Sequence, residues 1–199
     1  MFRPFAVSVL LIVGLAGSFD AAQDEFKIGD TAPEFKNLPG IDGKAHSSGD
    51  FKRDVLVVVI TTNHCPVAMM YEERVINFTK KYATGKDAKV DIVAINVNNL
   101  EEDKLDAMKA HAKKKEFNFP YLYDQSQAIA KKLNTHVTPE FYVFDKNRKL
   151  VYWGAMDDNM DESKITERYL VPAVDAVLAG KAVTNTKTKA FGCLVQYEK

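Results

Sequence analysis

Cysteine is scarce in this sequence. Cys65 and Cys193 are the only two among 199 residues, which is too few for a disulfide scaffold but enough for one redox pair. No C-x-x-C motif occurs, and no two histidines have the i,i+4 spacing by which a helix presents two metal ligands. The four histidines are His46, His64, His111 and His136. We therefore predict no metal site and no bound cofactor.

An excess of one charge sign is also lacking. Lys and Arg together number 27, as do Asp and Glu, and no long segment is strongly basic. Nucleic-acid and polyanion binding depend on clustered cations. A nucleic-acid partner is therefore not predicted.

A membrane-spanning run is lacking as well. The N-terminal apolar stretch from Phe5 to Ala16 is shorter than the ~20 residues that cross a bilayer. Arg3 precedes it and small residues follow it, as in a secretory signal peptide. We predict that residues 1–22 are a cleaved signal peptide, with an uncleaved anchor as the alternative. The mature chain would be periplasmic or secreted, without stable membrane association. Disulfides persist in both of these compartments.

The rest of the chain alternates apolar strands with amphipathic helices. The strongest strand covers residues 54–62, and the helix after it covers residues 65–82. This order favours parallel strands joined by crossover helices, closed by an antiparallel hairpin. The other predicted strands are 90–97, 140–145 and 150–154, and the other predicted helices are 101–115, 125–133 and 161–178, the last with Pro172 as a possible kink. We predict one domain, residues 26–181, and an extended tail, 182–199, that carries Cys193.

Cys65 lies where a helix is predicted to begin. Backbone N–H groups are unpaired there and the helix dipole is positive, so a thiolate is favoured. Pro66 suits the first helical turn, and Thr62 or Asn63 can cap it. The Thr62 hydroxyl can reach the sulfur or a bound substrate, and a protonated His64 would add positive charge. The alternative is a buried, inert cysteine.

Three further features remain open. Thr138-Pro139 precedes a predicted strand and is a candidate cis peptide, although an X–Pro bond is cis only ~5% of the time. Cys193 can resolve a sulfenic acid at Cys65, or it can be an unpaired tail cysteine. Asp157-Asp158-Asn159 is interpreted as a solvated turn, with cation binding as the alternative.

Five segments together carry a family resemblance: Ile28–Phe35, Asn63–Pro66 with Tyr71-Glu72, Phe117–Asp124, Thr138–Asn159 and Ala190–Cys193. They resemble the thioredoxin superfamily, in the branch of peroxiredoxin-like and alkyl hydroperoxide reductase/thiol-specific antioxidant (redoxin) proteins. The resemblance implies an α/β thioredoxin fold with an N-terminal extension, an inserted strand-helix unit and a central mixed sheet flanked by helices. It also implies a cis Pro139 that faces Cys65.

The departures from this pattern concern the active stretch. Close relatives often have C-N-H-C-P, whereas Thr62 stands here at the first cysteine position. The remaining Thr62-Asn63-His64-Cys65 resembles the T-x-x-C motif of peroxiredoxins. The peroxiredoxin proline falls at Val58, however, and the approximate place of the activating arginine falls at Pro139.

The sequence thus predicts an exported thioredoxin-fold thiol oxidoreductase, with thiol-dependent peroxidase activity as one form of it. Its partners would be a peroxide or a protein or small-molecule disulfide, and a thiol reductant. One alternative is a non-catalytic binding module that has lost its exchange cysteine, and another is a copper or zinc carrier that uses Cys65 and His64. The predicted catalytic residues are Cys65, Thr62 and Cys193, and the predicted substrate-binding residues are Asn63, His64, Pro66, Thr138 and Pro139.

Overall fold

A computed structural model describes residues 25–198; the predicted signal peptide lies outside them. The strands are β1 Leu38–Pro39, β2 Ala45–His46, β3 Val55–Thr61, β4 Val90–Asn96, β5 Tyr121–Tyr123, β6 Val137–Thr138, β7 Glu140–Phe144, β8 Leu150–Gly154 and β9 Cys193–Leu194. The α-helices are α1 Pro66–Tyr82, α2 Leu105–Lys115, α3 Ala128–Leu133 and α4 Leu170–Leu178.

The central sheet has five strands in the order β5-β4-β3-β7-β8. The β3–β4 and β4–β5 pairs are parallel, whereas β7 is antiparallel to both β3 and β8. This is the mixed sheet that the sequence predicts, with the N-terminal β1–β2 hairpin outside it.

Strand β3 lies at the centre of the fold, and its first six residues are buried. Its apolar, mostly β-branched sequence suits a strand covered on both faces. Val55, Val57 and Val59 pack with apolar residues of α1, α2 and α4. Leu56 and Val58 pack with those of α3 on the other face. The two packed faces therefore hold β3 in place, and the short turn after β3 leads directly into α1.

The last helix is shorter than predicted. The prediction of residues 161–178 is wrong in its first half, because α4 begins at Leu170. Residues 162–164 form a single 3-10 turn, and Arg168 instead bridges Asp157 in an antiparallel pairing. Pro172 thus lies in the first turn of α4, where a missing N–H removes no helical bond, so it causes no kink.

Among residues 25–198, no helix has the length and apolar content needed to cross a membrane.

Candidate active site

Cys65 caps the helix that follows it. It is the N-cap of α1, and its Sγ accepts a hydrogen bond from the N–H of Ala68 at 3.4 Å. The prediction that Thr62 or Asn63 caps this turn is wrong, because the backbone enters the helix only after Cys65. Pro66 occupies the first helical position as expected. The positive end of α1 is thus directed at the sulfur, as stabilisation of a thiolate requires.

Cys65 is paired with Cys193 in a disulfide. The two residues are 128 positions apart in sequence, and their Cα atoms are 5.8 Å apart. Strand β9 delivers Cys193 by pairing antiparallel with β6, in the register Thr138 to Cys193. The tail that the sequence leaves as an extended segment is therefore docked against the active site.

The Thr138–Pro139 bond is cis, as the resemblance implies. The carbonyl oxygen of Thr138 lies 3.3 Å from Cys65 Sγ. Cys65 itself is fully buried, whereas Cys193 is partly exposed. The turn before β7 therefore forms one wall of the site, and the disulfide meets solvent on its Cys193 side.

The three residues before Cys65 make polar contacts with the protein itself. The Thr62 hydroxyl lies 3.4 Å from that of Thr138. The N–H of Asn63 donates to Asp103 Oδ1 at 2.7 Å, and its side-chain oxygen accepts from the Tyr121 hydroxyl at 2.9 Å. His64 Nδ1 lies 2.5 Å from the other oxygen of Asp103.

The sequence does not single out Asp103, which falls in residues 101–115, a stretch that it predicts as one helix. It is fully buried, in a separate 3-10 turn before α2. Burial, followed by the charge of Asp103, raises the pKa of Tyr121 well above its ordinary value, so this tyrosine stays protonated and donates to Asn63. The active-site turn is thus fixed by a buried carboxylate and a buried phenol.

Arg74 and Asp157 form a buried ion pair that the sequence also missed. Arg74 Nη1 lies 2.7 Å from both carboxylate oxygens, and the two residues are 3% and 1% exposed. The interpretation of Asp157 as part of a solvated turn is therefore wrong. The guanidinium also donates to the carbonyl oxygens of Asn159 and Met160. The pair thus joins α1 to the segment after β8.

Tyr71 connects this ion pair to the tail. Burial and the charge of Asp157 raise its pKa, and its hydroxyl donates to Asp157 Oδ1 at 3.1 Å. The guanidinium of Arg74 lies 3.8 Å from the ring centroid, and Phe191 packs 6.3 Å from the ring on the tail side. The residue pattern places Tyr71 and Arg74 on α1 but gives no sign of Asp157, whose partner comes from a distant part of the chain.

Polar contacts anchor the end of the tail beyond Cys193. The side chain of Gln127 donates to the carbonyl oxygen of Gln196 and accepts from the N–H of Glu198, both at 2.7 Å. The Tyr197 hydroxyl donates to the Thr135 carbonyl oxygen at 2.7 Å, and burial raises its pKa to about 12. Docking of the tail therefore does not depend on the disulfide alone.

Gly192 lets the tail approach the Thr138–Pro139 turn. A Cβ at this position would lie 2.7 Å from the Thr138 carbonyl carbon and closer still to its oxygen. We expect Gly192→Ala to displace β9, because the added methyl group would overlap the Thr138 carbonyl group. The equilibrium constant for forming the Cys65–Cys193 disulfide should then fall at least about tenfold, which corresponds to a shift of about 30 mV in the potential of this two-electron couple. Titration against glutathione redox buffers measures this constant.

Gly49→Ala is the matched control for that titration, because a Cβ at Gly49 would meet no atom within 4 Å. This control should keep the wild-type potential. A Gly192→Ala protein with an unchanged potential would contradict the close approach of the tail.

No group of three or more His, Cys, Asp and Glu side chains within residues 25–198 is arranged to hold a metal ion. His64, the residue beside Cys65, is engaged by Asp103. The copper or zinc carrier hypothesis requires Cys65 as a ligand, whereas its sulfur is bonded to that of Cys193.

Comparisons with known proteins identify the family and the fold of this chain. Residues 27–170 match the family model Redoxin. No curated protein sequence matches the chain. An uncharacterised conserved protein from Geobacillus kaustophilus is 31% identical, with a TM-score of 0.80 over 88% of this chain and 94% of that one. A hypothetical protein from Sinorhizobium meliloti is 34% identical, with a TM-score of 0.80 over 88% and 97%.

A more distant match concerns the fold alone. A putative thiol:disulfide interchange protein, DsbE, from Chlorobium tepidum is 19% identical, with a TM-score of 0.63 over 77% of this chain and 99% of that one. The five-stranded mixed sheet, the helix that begins after Cys65 and the cis Pro139 are the thioredoxin fold that the sequence predicts. The chain belongs to the redoxin family of the thioredoxin superfamily.

Proposed function

We propose that this protein is a thiol oxidoreductase whose redox pair is Cys65 and Cys193. The observation that carries the proposal is the disulfide itself, which joins the N-cap of α1 to a strand docked on the Thr138–Pro139 turn. The pair takes the place of the C-x-x-C dithiol that Thr62 makes impossible. Export to an oxidising compartment, as the N-terminal sequence predicts, is part of this proposal.

The difference in burial assigns a role to each sulfur. In reduction, an incoming thiolate attacks Sγ of the partly exposed Cys193, forms a mixed disulfide there and releases Cys65 as a thiolate. The helix dipole and the N–H of Ala68 stabilise that leaving group. A second thiol of the reductant then attacks the mixed disulfide and frees Cys193. Two electrons enter the protein, and the reductant leaves as its own disulfide.

A peroxide is a second candidate for the oxidant. The hydroxyls of Thr62 and Thr138 lie 3.4 Å apart, next to the turn whose carbonyl oxygen contacts Cys65 Sγ, and they can donate to peroxide oxygens. The Cys65 thiolate would attack the O–O bond to give a sulfenic acid and water after protonation. Cys193 would then attack that sulfenic sulfur, forming the disulfide and releasing a second water.

The proposal is tested with fully reduced protein offered two oxidants, oxidised glutathione and hydrogen peroxide, in separate stopped-flow experiments. We expect the wild type to end with no free thiol. With hydrogen peroxide, Cys65→Ser should lose at least about a hundredfold in rate, because the Cys65 thiolate is the attacking group. With oxidised glutathione, Cys65→Ser should stop at a mixed disulfide on Cys193, because no second thiolate remains to displace the bound glutathione. Single-turnover loss of thiols is the readout. A Cys65→Ser protein that carries no glutathione after reaction with oxidised glutathione would refute the assignment.

The same data separate the two oxidants and the alternative role. If Cys65 reacts with hydrogen peroxide no faster than free cysteine, the peroxidase form fails while disulfide exchange stands. If neither oxidant reacts faster with this protein than with free cysteine, the non-catalytic binding module is the better description.

A further inference from the structure

A cavity lies away from the cysteines, on the opposite face of the sheet from α1. Its volume is about 400 Å³, within the range of small-molecule sites, roughly 300–1,000 Å³. None of its lining residues is a predicted site residue. Its apolar wall is formed by buried side chains from four parts of the fold: Phe35, Phe51, Leu56, Val58, Ile95, Ile129 and Leu133.

Such a wall is unfavourable for water. A water molecule against leucine, isoleucine and phenylalanine side chains finds few polar partners, so such a wall favours apolar molecules over water. Burial of an apolar chain in this space gains hydrophobic free energy with each methylene removed from water. The wall therefore selects a ligand with an apolar body.

The rim of the same cavity carries an excess of positive charge. Lys52, Lys146 and Arg148 line it together with one carboxylate, that of the exposed Glu34. None of the three cations forms an ion pair with another residue of the range 25–198. The whole chain has a formal net charge of zero, so the excess of positive charge at the rim does not come from a generally basic protein.

Arg148 is fixed in place by neutral acceptors. Its guanidinium donates to the carbonyl oxygens of Phe51 at 2.6 Å and Asp145 at 3.2 Å. Both bonds orient the group without neutralising its charge. The two lysines are exposed and free to move towards a bound anion.

We propose that this cavity binds an amphipathic carboxylate, with the aliphatic chain against the apolar wall and the carboxylate at the Lys52, Lys146 and Arg148 rim. The ligand class follows from the combination, since an apolar wall alone would accept a neutral hydrocarbon and a basic rim alone would accept any anion. This site is independent of the thiol chemistry proposed above.

The test is isothermal titration of the full-length oxidised protein with dodecanoate, kept below its micellar concentration, and with dodecanol as the uncharged comparison. We expect one saturable site for dodecanoate. Ala32→Phe, which places a ring at the half-buried edge of the cavity, should weaken binding at least about tenfold, because the ring takes up the space of several methylenes.

Charge variants test the rim without altering the core. Lys52→Gln combined with Lys146→Gln should weaken dodecanoate binding about five- to tenfold and leave dodecanol binding unchanged, because only the carboxylate meets the rim. Lys80→Gln combined with Lys113→Gln, at exposed positions outside the cavity, is the matched control and should match the wild type. Circular dichroism confirms that each variant folds.

Three results would overturn the proposal. They are no saturable binding of dodecanoate to the wild type, Ala32→Phe binding as tightly as the wild type, and equal loss of dodecanoate affinity in the rim and control pairs. The last result would mean that general charge, and not this rim, attracts the anion.

Discussion

Cys193→Ser should lower the free energy of unfolding of the air-oxidised protein by about 4–5 kcal/mol. The disulfide joins positions 128 residues apart, and a cross-link that closes a longer loop removes more conformational entropy from the unfolded chain. Urea denaturation of the wild type and the variant, each followed by circular dichroism, gives the difference. The effect belongs to the unfolded state, since residues 194–198 keep their own contacts with Gln127 and Thr135.

The control for this experiment is the same pair of proteins in excess dithiothreitol. Reduced wild type and reduced Cys193→Ser should then differ by less than about 1 kcal/mol, since no cross-link remains and a surface substitution changes little. Equal stability of the two proteins under oxidising conditions would mean that the disulfide does not form in solution.

Asp157→Ala should destabilise the fold by about 3–5 kcal/mol, because it leaves the guanidinium of Arg74 buried without a counter-ion. Arg74 is 3% exposed, and the lost carboxylate is also the acceptor for the Tyr71 hydroxyl. Because Tyr71 contacts Phe191 of the tail, we also expect slower re-formation of the Cys65–Cys193 disulfide. Denaturation at neutral pH measures the first effect and thiol trapping measures the second.

An exposed ion pair provides the comparison. Asp106 and Lys109 are 3.4 Å apart, and their side chains are 98% and 41% exposed. Asp106→Ala should cost no more than about 0.5 kcal/mol, as surface pairs do. Similar losses for Asp157→Ala and Asp106→Ala would contradict the importance of the buried pair.

The sequence predicts the parts of this fold that depend on local pattern. The strand 55–61 and the helix that begins at Pro66 follow from an apolar run and from helical periodicity, and both lie close to the predicted bounds. The cis Thr138–Pro139 bond was supported mainly by family resemblance, because the base rate for a cis X–Pro bond is low.

The parts that the sequence could not predict depend on contacts between distant segments. The helical pattern of residues 161–178 is misleading in its first half, since the backbone of Arg168 forms an antiparallel β-bridge with that of Asp157. Nothing local distinguishes Asp157 or Asp103 from the other acidic residues. Their burial is decided by Arg74 and by the active-site turn, which lie far away in sequence.

The candidate site was predicted in composition but only partly in arrangement. The sequence offers Cys193 as a resolving partner for Cys65, and the structure joins the two in a disulfide. Asn63 and His64 stay predictions as substrate-binding residues; the structure gives their polar side chains contacts with neighbouring parts of the fold. Sequence rules favour the oxygen side chains of Thr62 or Asn63 as the cap of α1, but the sulfur of Cys65 takes that place.

The most direct test of the central claim is peptide mass mapping of the oxidised protein, with free thiols alkylated before proteolysis without reduction. We predict one cross-linked pair of peptides, containing Cys65 and Cys193, in a monomeric band on non-reducing gel electrophoresis, and its conversion to two alkylated peptides after reduction. Both cysteines recovered alkylated from the unreduced protein, or linked only between chains, would contradict it.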